Sequence, residues 1–211
     1  RRLGLSPSAG QLIELPFGLP RDCPEPQAPR PGPGVRVGCF GRWAAWKDPV
    51  PLLVSLFQST EKDAAALEMV VGTENPDALE WARSRPVSIV PAHDRLEYFR
   101  AIASCDVIVH AARAESCDMR PSASVLDVLA IGRAVVALEG AAIRAQLTAP
   151  ATVGVLAAGI GDLSRAVVEA FDLTRRHPER FETYRSYRSP ARIGQLLAGQ
   201  LQGSPVKGTS T

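Results

Sequence analysis

Short apolar segments alternate with helical segments from Val35 onward, and this alternation constrains the fold more than any other feature of the 211-residue chain. The apolar segments have the length of strands and are apolar at nearly every position, which is typical of parallel sheets covered on both faces. We therefore predict an α/β fold, a Rossmann-like doubly wound parallel sheet with helices on both faces. The predicted strands are residues 35–40, 67–72, 87–90, 106–110, 134–137 and 153–156. The predicted helices are residues 48–58, 76–84, 95–104, 122–131, 141–147, 162–173, 177–187 and 190–201.

Proline content predicts how the chain is divided. Seven prolines lie between positions 16 and 33, a density that supports neither a helix nor an inner strand. Residues 1–34 are therefore predicted to be a linker, or a strap along another surface, that begins within a longer protein. Residues 35–189 are predicted to form the Rossmann-like domain. Residues 190–211 are predicted to be a C-terminal helix with a disordered polar tail.

Composition excludes several classes of function. The formal net charge is only +2 and aromatic residues make up 6% of the chain, which argues against nucleic acid as a partner. The four cysteines are widely separated and no cysteine or histidine spacing is typical of a metal site, so we expect no metal and reduced, buried thiols. No signal peptide or membrane-spanning run is apparent, and we expect a cytoplasmic protein whose membrane association is left open.

The predicted helix that begins near Ser122 has the features of an anion site. Small residues, Ser122, Ala123 and Ser124, lie where the first amides of the helix have no internal acceptor and where the helix dipole adds positive potential. Asp127 follows in an otherwise apolar helix. A carboxylate there needs a polar partner, and a ribose hydroxyl is one candidate.

The other candidate residues follow the ends of predicted strands. Right-handed crossovers bring these loops to one edge of the sheet, where ligands bind in such folds. The loop after the first strand carries Arg42 and Lys47, which can bind phosphate oxygens, although they can equally be solvated surface cations. His93 and Asp94 follow the third strand, and Asp94 is predicted to cap the next helix. The long loop at 111–121 can be a binding loop or a solvated excursion.

Taken in order, these segments resemble the C-terminal half of retaining GT-B glycosyltransferases of the type called family 4. The likeness covers roughly residues 12–173. Its most specific part is residues 126–137, where the family usually reads Leu-Glu-Ala-Met-Ala-x-Gly-x-Pro-Val-Val-Ala and Ala134 replaces the proline. Weaker parts of the likeness are residues 12–20, Gly41 and Arg42 with Lys47 and Asp48, residues 70–72, and residues 98–109.

The resemblance implies a role for each candidate residue toward a nucleotide-sugar donor. Arg42 and Lys47, with Gly41 beside them, match the family's basic pair on the diphosphate, which stabilises the leaving nucleotide in place of a metal, so no cofactor is expected. Asp127 matches the glutamate that holds the ribose hydroxyls. The base is expected at Val90 and Pro91, and the phosphates at the amides of Ser122, Ala123 and Ser124.

More than one acidic residue is a candidate for the contact with the donor sugar. The family places two glutamates closer together, whereas eleven residues separate Glu115 from Asp127. Glu115 takes the role of the first glutamate across an insertion, or Asp118 does, or no residue does. The first domain of the family, which supplies the acceptor site, is missing from this sequence, so the chain alone is not expected to be a competent enzyme.

The function implied is that of a retaining glycosyltransferase donor domain, which binds a nucleotide-diphosphate sugar for transfer of the sugar to an acceptor hydroxyl. Two alternatives stay open. One is a glycosyltransferase-like binding or scaffolding module that has lost turnover. The other is a different doubly wound enzyme, such as a dinucleotide enzyme or a nucleotide-sugar epimerase, although no glycine fingerprint follows the first strand.

Overall fold

The structure is a computed structural model that describes residues 18–20, 24–28, 32, 34–41, 49–62, 67–90, 94–112 and 121–201. Within these residues, six parallel strands form a single sheet. The strands are β1 (Val35–Gly41), β2 (Leu67–Thr73), β3 (Ser88–Ile89), β4 (Val107–Val109), β5 (Ala134–Leu138) and β6 (Gly154–Ala157). Their order in the sheet is β3-β2-β1-β4-β5-β6, which is the order of a Rossmann sheet and confirms the predicted fold class.

Helices cover both faces of this sheet. The α-helices of the described residues are α1 (Pro49–Lys62), α2 (Pro76–Arg83), α3 (Arg95–Ala103), α4 (Ala123–Ala130), α5 (Ala141–Thr148), α6 (Leu163–Arg176), α7 (Pro178–Tyr187) and α8 (Pro190–Leu201). Helices α1, α2 and α6 pack together or against the strands on one face of the sheet. Helices α3, α4 and α5 lie on the other face, as right-handed crossovers require.

The core follows from the apolar strand pattern. All residues of β4 and β5 are buried, and α4 is buried from Val125 to Ala130 because it packs against β5 and α7. The prediction of burial at nearly every strand position is wrong for β3. Only two residues form this strand and both are exposed, since β3 lies at the edge of the sheet and pairs only with β2.

Local sequence signals account for where two of the helices begin. Asp94 has extended backbone angles and accepts the amide of Glu97 at 2.8 Å, which confirms its predicted role as the cap of α3. Asn75 caps α2 in the same way, accepting the amide of Ala78 at 2.9 Å, and Pro76 occupies the first helical position. These caps fix the starts of two helices, both of which begin at the carboxyl edge of the sheet.

A segment of the proline-rich region lies against the opposite edge of the sheet. The buried guanidinium of Arg133, in the turn before β5, donates hydrogen bonds to the carbonyl oxygens of Gln27 at 2.8 Å and Ala28 at 3.0 Å. It also donates to the carbonyl oxygen of Ala103, at the end of α3, at 3.0 Å. Glu25 pairs with Arg185 of α7 at 3.6 Å. Residues 24–28 are thus held by the side chains of the domain that follows them.

Candidate functional site

The candidate site lies where the direction of the strand order reverses, between β1 and β4. The carboxyl ends of these neighbouring strands meet at one edge of the sheet, and their following connections run to opposite sides of it. Gly41 ends β1 with a φ of 140°, a conformation that glycine adopts readily and that a side chain would strain. A crevice at this position is the usual ligand site of open α/β sheets.

A small cavity opens at this edge beneath the start of α4. Tyr98, His110 and Ser124 line it together with apolar residues of β1, β4, β5 and α4; the apolar residues are Phe40, Ile108, Val109, Val125, Val128 and Val135. Tyr98 packs edge-to-face against Phe40, with ring centroids 6.5 Å apart. The cavity has room for about one water molecule, and most of its lining is apolar.

The start of α4 is fixed by a glutamine of the next helix. The Ser122 amide donates to Oε1 of Gln146 at 2.7 Å, and Nε2 of Gln146 donates to the Ser122 carbonyl oxygen at 3.1 Å. Gln146 is buried, so this pair is shielded from water. The Ser122 hydroxyl does not cap the helix and instead lies 2.9 Å from the Ser124 hydroxyl. The amide of Ser122 already has an acceptor, whereas the first-turn amides of Ala123 and Ser124 have none within the helix, as at any helix start.

Asp127 lies one turn into α4, where it is 9% exposed. Its Oδ1 is 3.6 Å from Nη2 of Arg95, the first residue of α3. Burial raises the pKa of Asp127, and the positive charge of Arg95 opposes that rise. Because burial is the larger effect, ionisation of this carboxylate costs stability.

Replacing Asp127 with asparagine is expected to stabilise the fold at neutral pH. The folded-state pKa of Asp127 lies above its unfolded value, so its ionisation lowers stability as the pH rises from the ordinary carboxyl range through the raised value. Asparagine carries no such ionisation. The variant and the native chain should therefore unfold with similar free energies in acid, and the variant should be the more stable at neutral pH. Urea unfolding at a series of pH values measures the difference, and a variant that is less stable at neutral pH contradicts this account.

The tyrosine of the cavity is held neutral. Burial raises the pKa of Tyr98, the negative charge of Asp127 adds to the rise, and Arg95 opposes it. A neutral phenol offers one donor and one acceptor to a ligand across the physiological range. Arg95, Tyr98 and Asp127 thus form one electrostatic group at the sheet edge, two of them on α3 and one on α4.

The structure places six of the predicted site residues at this edge of the sheet. Gly41, Ser122, Ala123, Ser124 and Asp127 surround the β1–β4 switch point, and Val90 leaves the sheet two strands away, its amide bonded to the carbonyl oxygen of Val71 at 3.0 Å. The remaining predicted residues lie outside the described residues: Arg42, Lys47, Pro91 and Glu115, together with His93 and the alternative acid Asp118.

Sequence reasoning missed four residues that shape the site: Arg95, Tyr98, His110 and Gln146. Arg95 and Gln146 act through contacts with residues far away in the sequence, and no local pattern reveals such pairs. His110 is buried and lines the cavity. Its position directly after β4 was the signal that could have revealed it, since strand ends meet at the ligand edge.

The described residues also bear on metal binding and on membrane insertion. Among them, no group of three or more histidine, cysteine, aspartate or glutamate side chains is arranged to hold a metal ion. In the same part of the chain, no helix has both the length and the apolar character needed to cross a bilayer. Cys39 and Cys105 are buried, and neither is part of a disulfide.

No protein-family model matches the chain, and no curated protein matches it in sequence. Solved structures do match. HepE of Anabaena in complex with UDP-glucose is 14% identical with a TM-score of 0.56, over 81% of this chain and 49% of HepE. The catalytic domain of cholesterol-alpha-glucosyltransferase from Helicobacter pylori is 14% identical with a TM-score of 0.54, over 74% of this chain and 98% of that one.

A third similar structure is the catalytic domain of starch synthase IV from Arabidopsis thaliana, bound to ADP and acarbose. It is 13% identical with a TM-score of 0.54, over 89% of this chain and 39% of that one. The chain spans about half the length of HepE. At these identities the likeness shows the fold alone. The chain therefore has the Rossmann-like α/β fold that these solved glycosyltransferase structures contain.

Proposed function

We propose that the chain is the nucleotide-sugar-binding domain of a retaining glycosyltransferase of the GT-B type. Its fold neighbours include a cholesterol glucosyltransferase, a starch synthase bound to ADP, and HepE bound to UDP-glucose. The reaction proposed is transfer of the sugar from a nucleotide-diphosphate sugar to an acceptor hydroxyl with retained anomeric configuration. The acceptor would bind mainly to an N-terminal domain of a longer protein, since the chain spans about half the length of HepE.

The burial of Asp127 at the ligand edge of the sheet carries this proposal. Its carboxylate is largely removed from water, its nearest charged partner in the described residues is 3.6 Å away, and it stands beside a helix start suited to anions. Two ribose hydroxyls would donate hydrogen bonds to this carboxylate. A phosphate at the Ala123 and Ser124 amides would then lie on the same helix as the ribose.

Catalysis in this proposal is electrostatic. Arg42 and Lys47 would neutralise the negative charge that develops on the departing diphosphate, an interaction stronger in the transition state than in the ground state. Gly41 would bring the backbone close to the donor, and the base would contact Val90 and Pro91. Glu115, or Asp118 in its place, would bind the donor sugar. No metal or cofactor is part of this proposal.

Replacing Asp127 with asparagine should weaken nucleoside diphosphate binding by about 10- to 100-fold. A hydrogen bond to a charged acceptor contributes roughly 1.5–3 kcal/mol, and the amide offers only one oxygen. Calorimetric titration of both proteins with UDP, GDP and ADP measures the change. Asp172→Asn, on the surface of α6, is the matched control, because Asp172 pairs only at the surface with Arg176. Equal affinities of the native chain and Asp127→Asn would remove Asp127 from the site.

A binding or scaffolding module is the second candidate. The wide separation of Glu115 and Asp127 favours it, since the two acids do not match the family spacing. A scaffold would bind none of the nucleoside diphosphates, or would bind them without transfer when the longer protein is assayed. Hydrolysis or transfer of a labelled nucleotide-sugar by that longer protein would rule the scaffold out.

A further inference from the structure

We infer that Arg95 is a positioning residue for the ribose of the nucleotide: its guanidinium holds the Asp127 carboxylate at the place where the ribose hydroxyls are recognised. This inference rests on the proposed nucleotide-binding function and adds a residue to it. Arg95 lies on α3, outside residues 126–137, which are the most specific part of the family resemblance. Its assignment comes from three contacts in the structure.

The first contact fixes the backbone of Arg95. Asp94 caps α3 by accepting the Glu97 amide at 2.8 Å, so Arg95 is the first residue of a helix with a defined start. Helix α3 begins at the carboxyl edge of the sheet, because it follows β3. Arg95 therefore faces the edge where α4 also begins.

The second contact fixes its side chain. The guanidinium carbon of Arg95 lies 4.8 Å from the ring centroid of Phe99, one turn further along α3. Phe99 is only 3% exposed, so its ring is a rigid platform within the core. A guanidinium over an aromatic face gains a cation–π attraction that favours this rotamer. The arginine is thereby held in one place although half of its side chain is in water.

The third contact is with Asp127. The distance from Nη2 of Arg95 to Oδ1 of Asp127 is 3.6 Å, which is an ion pair but too long for a direct hydrogen bond. At this distance Arg95 does not use up the capacity of Oδ1 to accept a hydroxyl donor. Arg95 orients and neutralises the group without occupying it. A tight bidentate pair would have done the opposite and closed the site to a ribose.

Electrostatics support the same role. Among the described residues, Arg95 is the charged group that acts on the pKa of Asp127, and Asp127 in turn raises the pKa of Tyr98, which also lies on α3. Burial raises the pKa of Asp127, and Arg95 is the opposing influence. Loss of Arg95 would leave more of the carboxyl protonated. A protonated carboxyl loses part of its capacity to accept from ribose hydroxyls.

The alternative is that Arg95 only braces α3 against α4. A positioning role affects how strongly the chain prefers a ribonucleotide to its 2′-deoxy analogue, here called ribose discrimination, whereas a brace between the helices does not. Calorimetry on the full 211-residue chain, with whichever of UDP, GDP and ADP binds tightest and with its 2′-deoxy analogue, gives the ratio of the two affinities. We expect Arg95→Met to weaken the ribonucleotide by about tenfold, within the range found for contacting residues, and to change the deoxynucleotide by less than about twofold.

Three further variants make the test specific. Arg95→Lys should restore part of the discrimination, because the ammonium keeps the charge near Asp127. Arg100→Met removes an exposed arginine from the same helix and should change neither affinity. In an Asp127→Asn background, Arg95→Met should have no further effect on the ratio. Circular dichroism verifies that each variant is folded.

The outcomes separate the inference from the proposed function. Native-like discrimination by Arg95→Met, or an equal loss of affinity for both nucleotides, overturns the role of Arg95 while nucleotide binding stands. Absence of any nucleotide binding by the native chain overturns both. A loss of discrimination confined to the Arg95 and Asp127 variants establishes the positioning role.

Discussion

Arg133→Met lowers the free energy of unfolding by about 3 kcal/mol, the largest stability effect expected of any single substitution considered for this chain. Arg133 is 2% exposed, and its guanidinium donates to carbonyl oxygens of Gln27, Ala28 and Ala103. Each such charge-assisted bond contributes roughly 1.5–3 kcal/mol, and the burial of the charge offsets part of that sum. Methionine keeps the length of the side chain but donates nothing.

Urea unfolding monitored by circular dichroism measures this change, since the midpoint and slope give the free energy in water. Arg165→Met is the control: Arg165 lies on the surface of α6, 65% exposed, and its ion pairs are at 3.6 Å or longer. That variant should stay within about 0.5 kcal/mol of the native chain. An Arg133→Met chain as stable as the control would show that residues 24–28 are not anchored by this guanidinium.

The combined variant Arg42→Ala and Lys47→Ala is expected to bind nucleoside diphosphate at least about a hundredfold more weakly than the native chain. Two charge-assisted contacts of roughly 1.5–3 kcal/mol each account for that loss. The affinity for the matching nucleoside, which has no phosphate, should be unchanged. Titration with the diphosphate and the nucleoside in parallel measures both effects, and the difference should shrink as salt is added.

A variant with the same change in charge provides the control for this experiment. Arg165→Ala with Arg176→Ala removes two exposed cations from α6, on the face of the sheet that α6 shares with α1 and away from the α4 start. It should bind the diphosphate as the native chain does. Equal losses in the two double variants would mean that only net charge matters, and would remove Arg42 and Lys47 from the diphosphate site.

The fold was predictable because its signals are local and repeated. Six apolar runs of strand length, separated by helical segments, predict the parallel sheet, and Asp94 marks the start of a helix by chemistry that acts over three residues. The shortness of β3 was not predictable. Residues 87–90 have the same apolar character as inner strands, and only their position at the edge of the sheet explains their exposure.

The candidate site was predictable only in part, because some of its signals are local in the sequence and others arise from contacts between distant residues. Asp127 stands out in the sequence because a charge interrupts an apolar helix. Its partner Arg95 and the glutamine that binds the Ser122 backbone do not stand out, because the contacts join residues 32 and 24 positions apart through the fold. Arg133 is a similar case: an arginine in a turn predicts exposure, whereas the carbonyls of residues 27 and 28 draw it into the interior.

The most direct test of the nucleotide site is calorimetric titration of the native chain with UDP, GDP, ADP and dTDP. We expect one of them to bind at a single site, with a dissociation constant in the roughly micromolar to millimolar range of enzyme substrates, and more tightly than its nucleoside. Absence of heat with all four, at protein concentrations that would detect millimolar binding, would contradict the assignment of this sheet edge to a nucleotide-sugar donor.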